Sequence, residues 1–321
     1  MTKAWVIGAG GLLGSALVEA LERERVSLYR HKEAFYWQDA ERISCQFDEA
    51  AESFLQSLSE GDDWALYWAA GIGTMGTDLA AFDAEKASLS ALLSALSRAL
   101  AKNPTRGTIG FASSAGALYS MSCDFLITEE SEITITTDYA RAKFVEENLL
   151  QEFVEQEPLT SLVVARFSTL YGPGQAKGKR QGLLSHLVRS ALRQTPVEIF
   201  VPLDTARDYI LAADAAGDFI ASMAYSRDHG LKSLVRIIAA EQSVTISEVI
   251  GTLNRILKRR VRVVLIRNGL SALYTTRIAY RSLSRLPEAY RRPRHSLIEG
   301  VSILLYAERK IHVASAFEGV S

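Results

Sequence analysis

Residues 1–17, Met1-Thr-Lys-Ala-Trp5-Val-Ile-Gly8-Ala-Gly10-Gly11-Leu-Leu-Gly14-Ser-Ala-Leu17, decide the fold. Trp5, Val6 and Ile7 make a short apolar run of strand type, Gly8, Gly11 and Gly14 punctuate a turn, and residues 12–23 carry a helical pattern. Strand, glycine turn and helix in that order form a phosphate-binding βα turn. The first N–H groups of a helix have no partner inside it and face an anion together with the positive end of the helix dipole. Each glycine has its own reason: Gly8 permits the tight turn, Gly11 lets backbone approach a pyrophosphate, and Gly14 lets the helix pack closely. The spacing G-x-x-G-x-x-G departs from the commoner G-x-G-x-x-G, although Gly10 supplies a glycine at the third position.

Outward from this turn, 321 residues suffice for one large or two moderate domains with ample core. Two cysteines, Cys45 and Cys123, are too few for a disulfide framework, so a reducing cytoplasm is the expected compartment. Residues 4–21 are apolar enough to imitate a signal peptide, but the glycine motif makes their helix amphipathic rather than spanning. The net charge of −1 conceals a division. Residues 1–254 carry 22 Lys and Arg against 33 Asp and Glu, whereas residues 255–294 carry 12 against 1. A basic face in the C-terminal part is the expectation.

Up to about residue 170, short apolar strands alternate with longer helical segments, the pattern of an α/β doubly wound parallel sheet. The expected strands are 4–7, 26–29, 43–47, 64–68, 108–112 and 161–167, with helices over 80–101 and 139–155. Beyond Gly172 the rhythm weakens. Strands over 197–201, 234–238 and 261–266 interleave with helices over 183–193, 212–225 and 246–257, suggesting a smaller C-terminal α/β lobe over the carboxyl edge of the sheet. The division expected is 1–172 and 173–321, the chain crossing back to the sheet around 205–240.

Four pieces line up behind the glycine turn: Ser113-Ser114-Ala115-Gly116 at a strand end, Tyr139-Ala-Arg-Ala-Lys143 on a helix, Arg166-Phe-Ser-Thr169-Leu-Tyr-Gly-Pro-Gly-Gln175, and Arg207-Asp208-Tyr209-Ile210. Tyr139 and Lys143, four apart, share a helix face, where the ammonium is expected to lower the phenol pKa and favour phenolate. Tyr139 can then exchange a proton with a substrate hydroxyl. This ordered set resembles the extended short-chain dehydrogenase/reductase family, the NAD(P)-dependent epimerase/dehydratase group acting largely on nucleotide sugars. The resemblance covers nearly the whole chain, down to Ser296-Leu-Ile-Glu-Gly300, similar to the family's last-helix segment. It implies a Rossmann sheet with a C-terminal substrate lobe, hydride exchange with a nicotinamide, and Ser114, Tyr139 and Lys143 as the catalytic set, with Ser114 rather than Ser113 holding the reacting oxygen.

Tyr306-Ala-Glu-Arg-Lys310 matches the same Tyr-x-x-x-Lys spacing with no glycine turn or serine strand leading to it, and reads as a solvated helix face. Gly71-Ile-Gly-Thr-Met-Gly76 is a formal G-x-G-x-x-G after a later strand, where Ala69-Ala70-Gly71 is implied to run past the cofactor. The cofactor-binding residues expected are Gly8, Gly11, Leu12, Leu13, Gly14, Arg30, His31, Asp48, Ala69, Ala70, Gly71, Tyr139 and Lys143. An acid at the end of the second strand binds a ribose 2′-hydroxyl, and a base accommodates a 2′-phosphate. Here Tyr29-Arg30-His31-Lys32 contains no acid, which favours NADP(H) over NAD(H). Asp48, after the expected third strand, resembles the family's adenine-contacting Asp, or caps a helix. No metal is expected.

Ser114-Ala115-Gly116 stands where a Thr-Asp-Glu set would serve a dehydratase, which argues against dehydration. Thr169 takes the place of a common substrate-contacting Asn, and Arg207 is the residue suited to hold a diphosphate, as a guanidinium grips two oxygens at once. The implied function is an NAD(P)-dependent epimerase or reductase acting on a hydroxyl or keto carbon of a nucleotide-activated sugar. The competing readings are a non-catalytic NADP-binding, redox-responsive regulator and an enzyme on a lipid-linked sugar at a membrane surface. A helix over 270–285 would align Arg277, Arg281 and Arg285, either as a solvated or diphosphate-attracting rim or as a weak anionic membrane contact within 255–294. Nucleic acid is not an expected partner, since no aromatic platforms cluster there. A homodimer is compatible with the sequence but not encoded in it.

Overall fold

In the computed structural model, which describes residues 1–71, 79–122, 124–175, 182–266 and 278–318, the opening strand β1 (Thr2–Ile7) lies between two parallel neighbours. It is followed by α1 (Leu12–Arg23), β2 (Ser27–Tyr29), α2 (Ala40–Gln56), β3 (Asp63–Trp68), α3 (Leu79–Lys102), β4 (Gly107–Ser114), α4 (Ala115–Leu118), α5 (Asp138–Gln156) and β5 (Thr160–Phe167). Next come β6 (Thr169–Tyr171), α6 (Leu183–Arg193), β7 (Val197–Ile199), β8 (Ala206–Leu211), α7 (Ala212–Asp228) and β9 (Ser233–Ile238). The described chain ends with β10 (Ser243–Thr245), α8 (Ile246–Leu257), β11 (Val263–Leu265) and α9 (Leu297–Glu318).

The main sheet is parallel throughout, in the order β2-β1-β3-β4-β5-β9. Alternation along each strand assigns its side chains to two layers. Trp5, Ile7, Trp64, Leu66 and Trp68 pack with α2, α3 and α5 on one face, while Ala4, Val6, Ala65 and Tyr67 pack with α1 and α7 on the other. This is the expected doubly wound α/β architecture, with sites at the carboxyl ends of the strands.

The expected strand over 43–47 is instead part of α2. Ile43, Phe47, Ala50, Ala51, Phe54 and Leu55 are all buried, a spacing of three and four that a helix alone brings to one face. Asp39 caps this helix by accepting from the Arg42 N–H at 3.0 Å. In consequence the sheet ends at β2 on this side.

The C-terminal lobe combines a small sheet, β10-β8-β6, and a β11-β7 pair with α6, α8 and α9 around Leu187, Leu211, Val249, Leu253 and Leu304. Between them α7 and β9 return to the main sheet. The helix expected over 270–285 is not present in its described part: residues 270–277 lie outside the described residues, and 278–285 is irregular, tied to the chain by a bridge between Tyr280 and Ile127. Here Ile278, Tyr280 and Ser282 are buried while Arg281 and Leu283 are exposed. That period of two defeats the four-residue spacing of the arginines. Of the basic segment's described arginines, Arg292 pairs with Glu24 and Arg294 with Asp218, so part of its charge ties this segment to the acidic remainder. Among the described residues no helix is long and apolar enough to cross a membrane.

Candidate active site

Gly8 adopts φ +87°, and a Cβ there would lie 2.5 Å from the Ala70 nitrogen, so the turn sits directly against the end of β3. Gly11 donates its N–H to Gly8 O at 2.9 Å, and a Cβ on Gly14 would stand 2.0 Å from that same oxygen. At Gly10 a Cβ would meet nothing within 4 Å. Gly11 caps α1 without a side-chain hydrogen bond, while Leu13 turns its side chain into the core, so Leu12, Leu13 and Gly14 contribute backbone N–H groups at the helix start.

Two cavities meet at this turn, sharing Gly8 and Gly10. One of about 360 Å³ is walled by Tyr29, Arg30, His31, Phe35 and Trp37; the other, of about 290 Å³, by Trp68, Ala69, Ala70, Gly71, Glu85 and Ser88. Two chambers joined at a bare helix N-terminus fit a two-part ligand with an anionic middle. Arg30 borders the first chamber, exposed and ion-paired with Glu22 at 2.6 Å, and His31 stacks on Phe35 with 5.1 Å between ring centroids. Asp48 is not at a strand end. With 43–47 helical, it lies within α2, pairs with Arg98 on α3 and lines neither chamber. Of Gly71-Ile-Gly-Thr-Met-Gly76, all but Gly71 lies outside the described residues.

Ser114 ends β4 and caps α4, its Oγ accepting from the Ala117 N–H at 3.2 Å. Its side chain faces the phenol of Tyr139, on the first turn of α5, closely enough to lower the phenol pKa. Ser113 points elsewhere, to Glu147. The Tyr139 ring is stacked 6.0 Å from Phe82. Burial raises its pKa above the ordinary tyrosine value, and the opposing pull of Lys143 and Ser114 does not reverse that. The expectation of a lowered phenol pKa is therefore corrected: Lys143 acts in the foreseen direction, but desolvation is the larger effect.

Glu85 and Glu146, the partners of Lys143, add to the rise. The Lys143 ammonium is buried, 2.9 Å from Glu85 Oε1 and 2.9 Å from Glu146 Oε2, so much of its charge is already answered. Burial opposes the ammonium, yet Glu146 and Glu85 outweigh it and raise the lysine pKa. Next to this cluster Glu147 grips Arg166 through Nε at 3.1 Å and Nη2 at 2.6 Å, fixing α5 to β5.

Thr169 is exposed at the start of β6, paired in register with Tyr209 of β8. Arg207, half-buried on β8, donates to Ala206 O at 2.8 Å. Asp208 is turned to Ser168 and to the N–H groups of Ala240 and Gln242. His186 is exposed on α6. Tyr306 of the second Tyr-x-x-x-Lys is 63% exposed with Lys310 over its ring, a solvated helix face. The sequence reading missed Glu85, Phe35 and Trp37. Glu85 had a signal, since it stands in the buried stripe Phe82, Glu85, Leu89, Leu92, where an unpaired charge is costly.

The family model described as the NAD dependent epimerase/dehydratase family matches residues 4–232. A dTDP-4-dehydro-6-deoxyglucose reductase of Escherichia coli is 27% identical over 143 residues, 44% of this chain and 43% of that protein, so the match spans less than half of this relative's length. Among solved structures, MoeE5 in complex with UDP-glucose and NAD superposes with a TM-score of 0.77 at 20% identity, covering 96% of this chain and 99% of the other. UDP-glucose-4-epimerase from Stenotrophomonas maltophila, with bound NAD and formylated UDP-arabinopyranose, gives 0.77 at 19%, covering 98% and 100%. RMD from Pseudomonas aeruginosa, complexed with NADPH, gives 0.77 at 18%, covering 97% and 100%. At these identities the structural likeness is one of fold.

Proposed function

Because this chain belongs to the NAD dependent epimerase/dehydratase family, we propose that it oxidises or reduces a hydroxyl or keto carbon of a nucleotide-activated sugar, with Tyr139 as the group that moves the proton. The observation that carries this reading is the approach of the Ser114 side chain to the Tyr139 phenol, one helical turn from Lys143, whose partner Glu85 lines the cavity reaching back to the glycine turn.

The N–H groups of Leu12, Leu13 and Gly14, beside Gly8 and Gly11, would hold the pyrophosphate of a nicotinamide dinucleotide. The aromatic chamber of Tyr29, Phe35 and Trp37 would take its adenosine end, and Ala69, Ala70 and Gly71 would line the other. Arg30 and His31 border the aromatic chamber in a run, residues 29–32, that contains no acid, which favours NADP(H) over NAD(H) through a 2′-phosphate that Arg30 would take in place of its partner Glu22. When bound, the nicotinamide accepts or donates hydride. Ser114 holds the substrate oxygen, Tyr139 takes its proton or returns it, and Lys143 steadies the phenolate. Arg207 is assigned the diphosphate of the sugar nucleotide and Thr169 a contact to the sugar.

A panel of nucleotide sugars and their keto forms, followed by nicotinamide absorbance and by product analysis, tests the reading. A stoichiometric absorbance change marks a reductase, and interconversion of epimers without net change marks an epimerase. Dinucleotide binding with no turnover on any member of the panel would contradict the enzyme and favour a binding protein.

A further inference from the structure

Behind Tyr139 two carboxyl groups and one ammonium are sealed together. Lys143 Nζ lies 2.9 Å from Glu85 Oε1 of α3 and 2.9 Å from Glu146 Oε2 of α5, and the three residues are only 5%, 9% and 1% exposed. Two negative charges against one positive leave one charge unanswered where burial makes it expensive. The outer oxygens, Glu85 Oε2 and Glu146 Oε1, are buried and have no hydrogen-bond partner among the described residues. The described groups around them do not answer that charge. Glu147 on α5 is committed to Arg166 of β5 and Ser113 of β4, the Tyr139 phenol faces Ser114, and the Phe111 ring of β4 lies 5.1 Å from Nζ. One proton on the carboxyl pair removes the excess charge. Burial also raises the Glu146 pKa, against the pull of Lys143.

We propose that Glu85 and Glu146 together hold one proton at neutral pH and serve, through Lys143, as the proton reserve of Tyr139. The proposal rests on the reading of Tyr139 as the acid–base group. In the reducing direction the Tyr139 O–H gives its proton to the substrate carbonyl oxygen and becomes phenolate. An N–H of the Lys143 ammonium gives its proton to the phenolate, leaving an amine. The amine takes the proton of the glutamic acid, which leaves a carboxylate, and a solvent proton entering by the cavity that Glu85 lines with Gly71 and Ser88 restores the acid. Oxidation runs the same transfers backwards. Glu85 and Glu146 act through Lys143 and are positioning residues.

Carboxyl-carbon NMR of the glutamate-labelled protein without ligands tests the held proton directly. The wild type is expected to show one glutamate still protonated at neutral pH, absent from both Glu85→Gln and Glu146→Gln, where the remaining carboxylate balances Lys143. At the higher pH where the Tyr139 phenol titrates, the wild-type pair has given up its proton and carries two negative charges, so in Glu85→Gln, with one fewer, the phenol should titrate at lower pH. Under turnover Glu85→Gln should slow later cycles about tenfold more than the first, with a solvent isotope effect on the later cycles, and Glu85→Asp should recover part of the loss. Wild-type carboxyls that all titrate in the ordinary range overturn the proposal, as does a variant that slows first and later cycles alike. If no nucleotide sugar reacts, the enzymatic reading fails by itself, and the NMR titrations still decide whether the proton is held and coupled to Tyr139.

Discussion

Adding one methyl group at Gly14 should disable the glycine turn, and the structure sets the size of the effect. The new Cβ would stand 2.0 Å from Gly8 O, about 1.4 Å short of the 3.4 Å where ordinary contact begins, and 2.9 Å from the Ala9 Cα. Neither neighbour is a flexible side chain. Gly8 is itself pressed against Ala69 and Ala70, so the start of α1 must retreat, straining the Gly11 N–H to Gly8 O bond of 2.9 Å. Overpacking costs about 1–3 kcal/mol, and alanine's helix preference over glycine returns about 1 kcal/mol. Gly14→Ala should therefore lose about 0–2 kcal/mol in urea unfolding. Dinucleotide binding should suffer more. Losing one N–H bond to a charged phosphate, worth about 1.5–3 kcal/mol, weakens affinity about tenfold to a hundredfold. Gly10→Ala is the control: its Cβ meets nothing within 4 Å, so stability should stay within about 0.5 kcal/mol while the methyl group intrudes on both chambers and weakens binding. A Gly14→Ala protein that binds NADPH as the wild type does would refute the reasoning.

Three further outcomes follow. Glu147→Ala strands the buried Arg166 guanidinium and should cost about 3–5 kcal/mol in urea unfolding; a loss below about 1 kcal/mol would contradict the role given to that pair. Burial raises the Glu146 pKa, so the folded state holds that proton more tightly than the unfolded chain. Its contribution to stability is complete below the ordinary glutamate value of about 4.3 and is lost as pH rises through the folded value, a decline that Glu146→Gln should flatten in an unfolding series against pH. Lys143 is raised as well, so its contribution is complete below the ordinary lysine range and does not mask that slope. Arg30→Ala should weaken NADPH about tenfold more than NADH in a binding titration, one charge-assisted bond to a 2′-phosphate being removed; equal losses would argue against the NADP(H) preference.

The main sheet was legible where strands alternate strictly between two covered faces, as in Trp64-Ala65-Leu66-Tyr67-Trp68, and the chain order of serine strand and tyrosine helix anticipated the contact between Ser114 and Tyr139. The window 43–47 misled because five residues cannot separate a strand from a helix. Extending it to Leu55 exposes the helical stripe, and Asp48 moves with it. The arginines at 277, 281 and 285 suggested a helix, yet burial of Ile278, Tyr280 and Ser282 follows a strand's period in the described part. The phenol shift was hidden for another reason. Spacing along α5 put Lys143 beside Tyr139, but the desolvation that raises the phenol, and the placing of Glu85 from α3 against the ammonium, depend on tertiary packing.

In the proposed reaction Tyr139 carries the proton, while the glycine turn supplies most of the dinucleotide's hold. Turnover of a reactive nucleotide sugar and NADPH affinity, measured side by side in the wild type and Tyr139→Phe, test it most directly. The expected result is a rate at least about a hundredfold lower in Tyr139→Phe with dinucleotide affinity nearly unchanged. Turnover that survives the loss of the hydroxyl would contradict it.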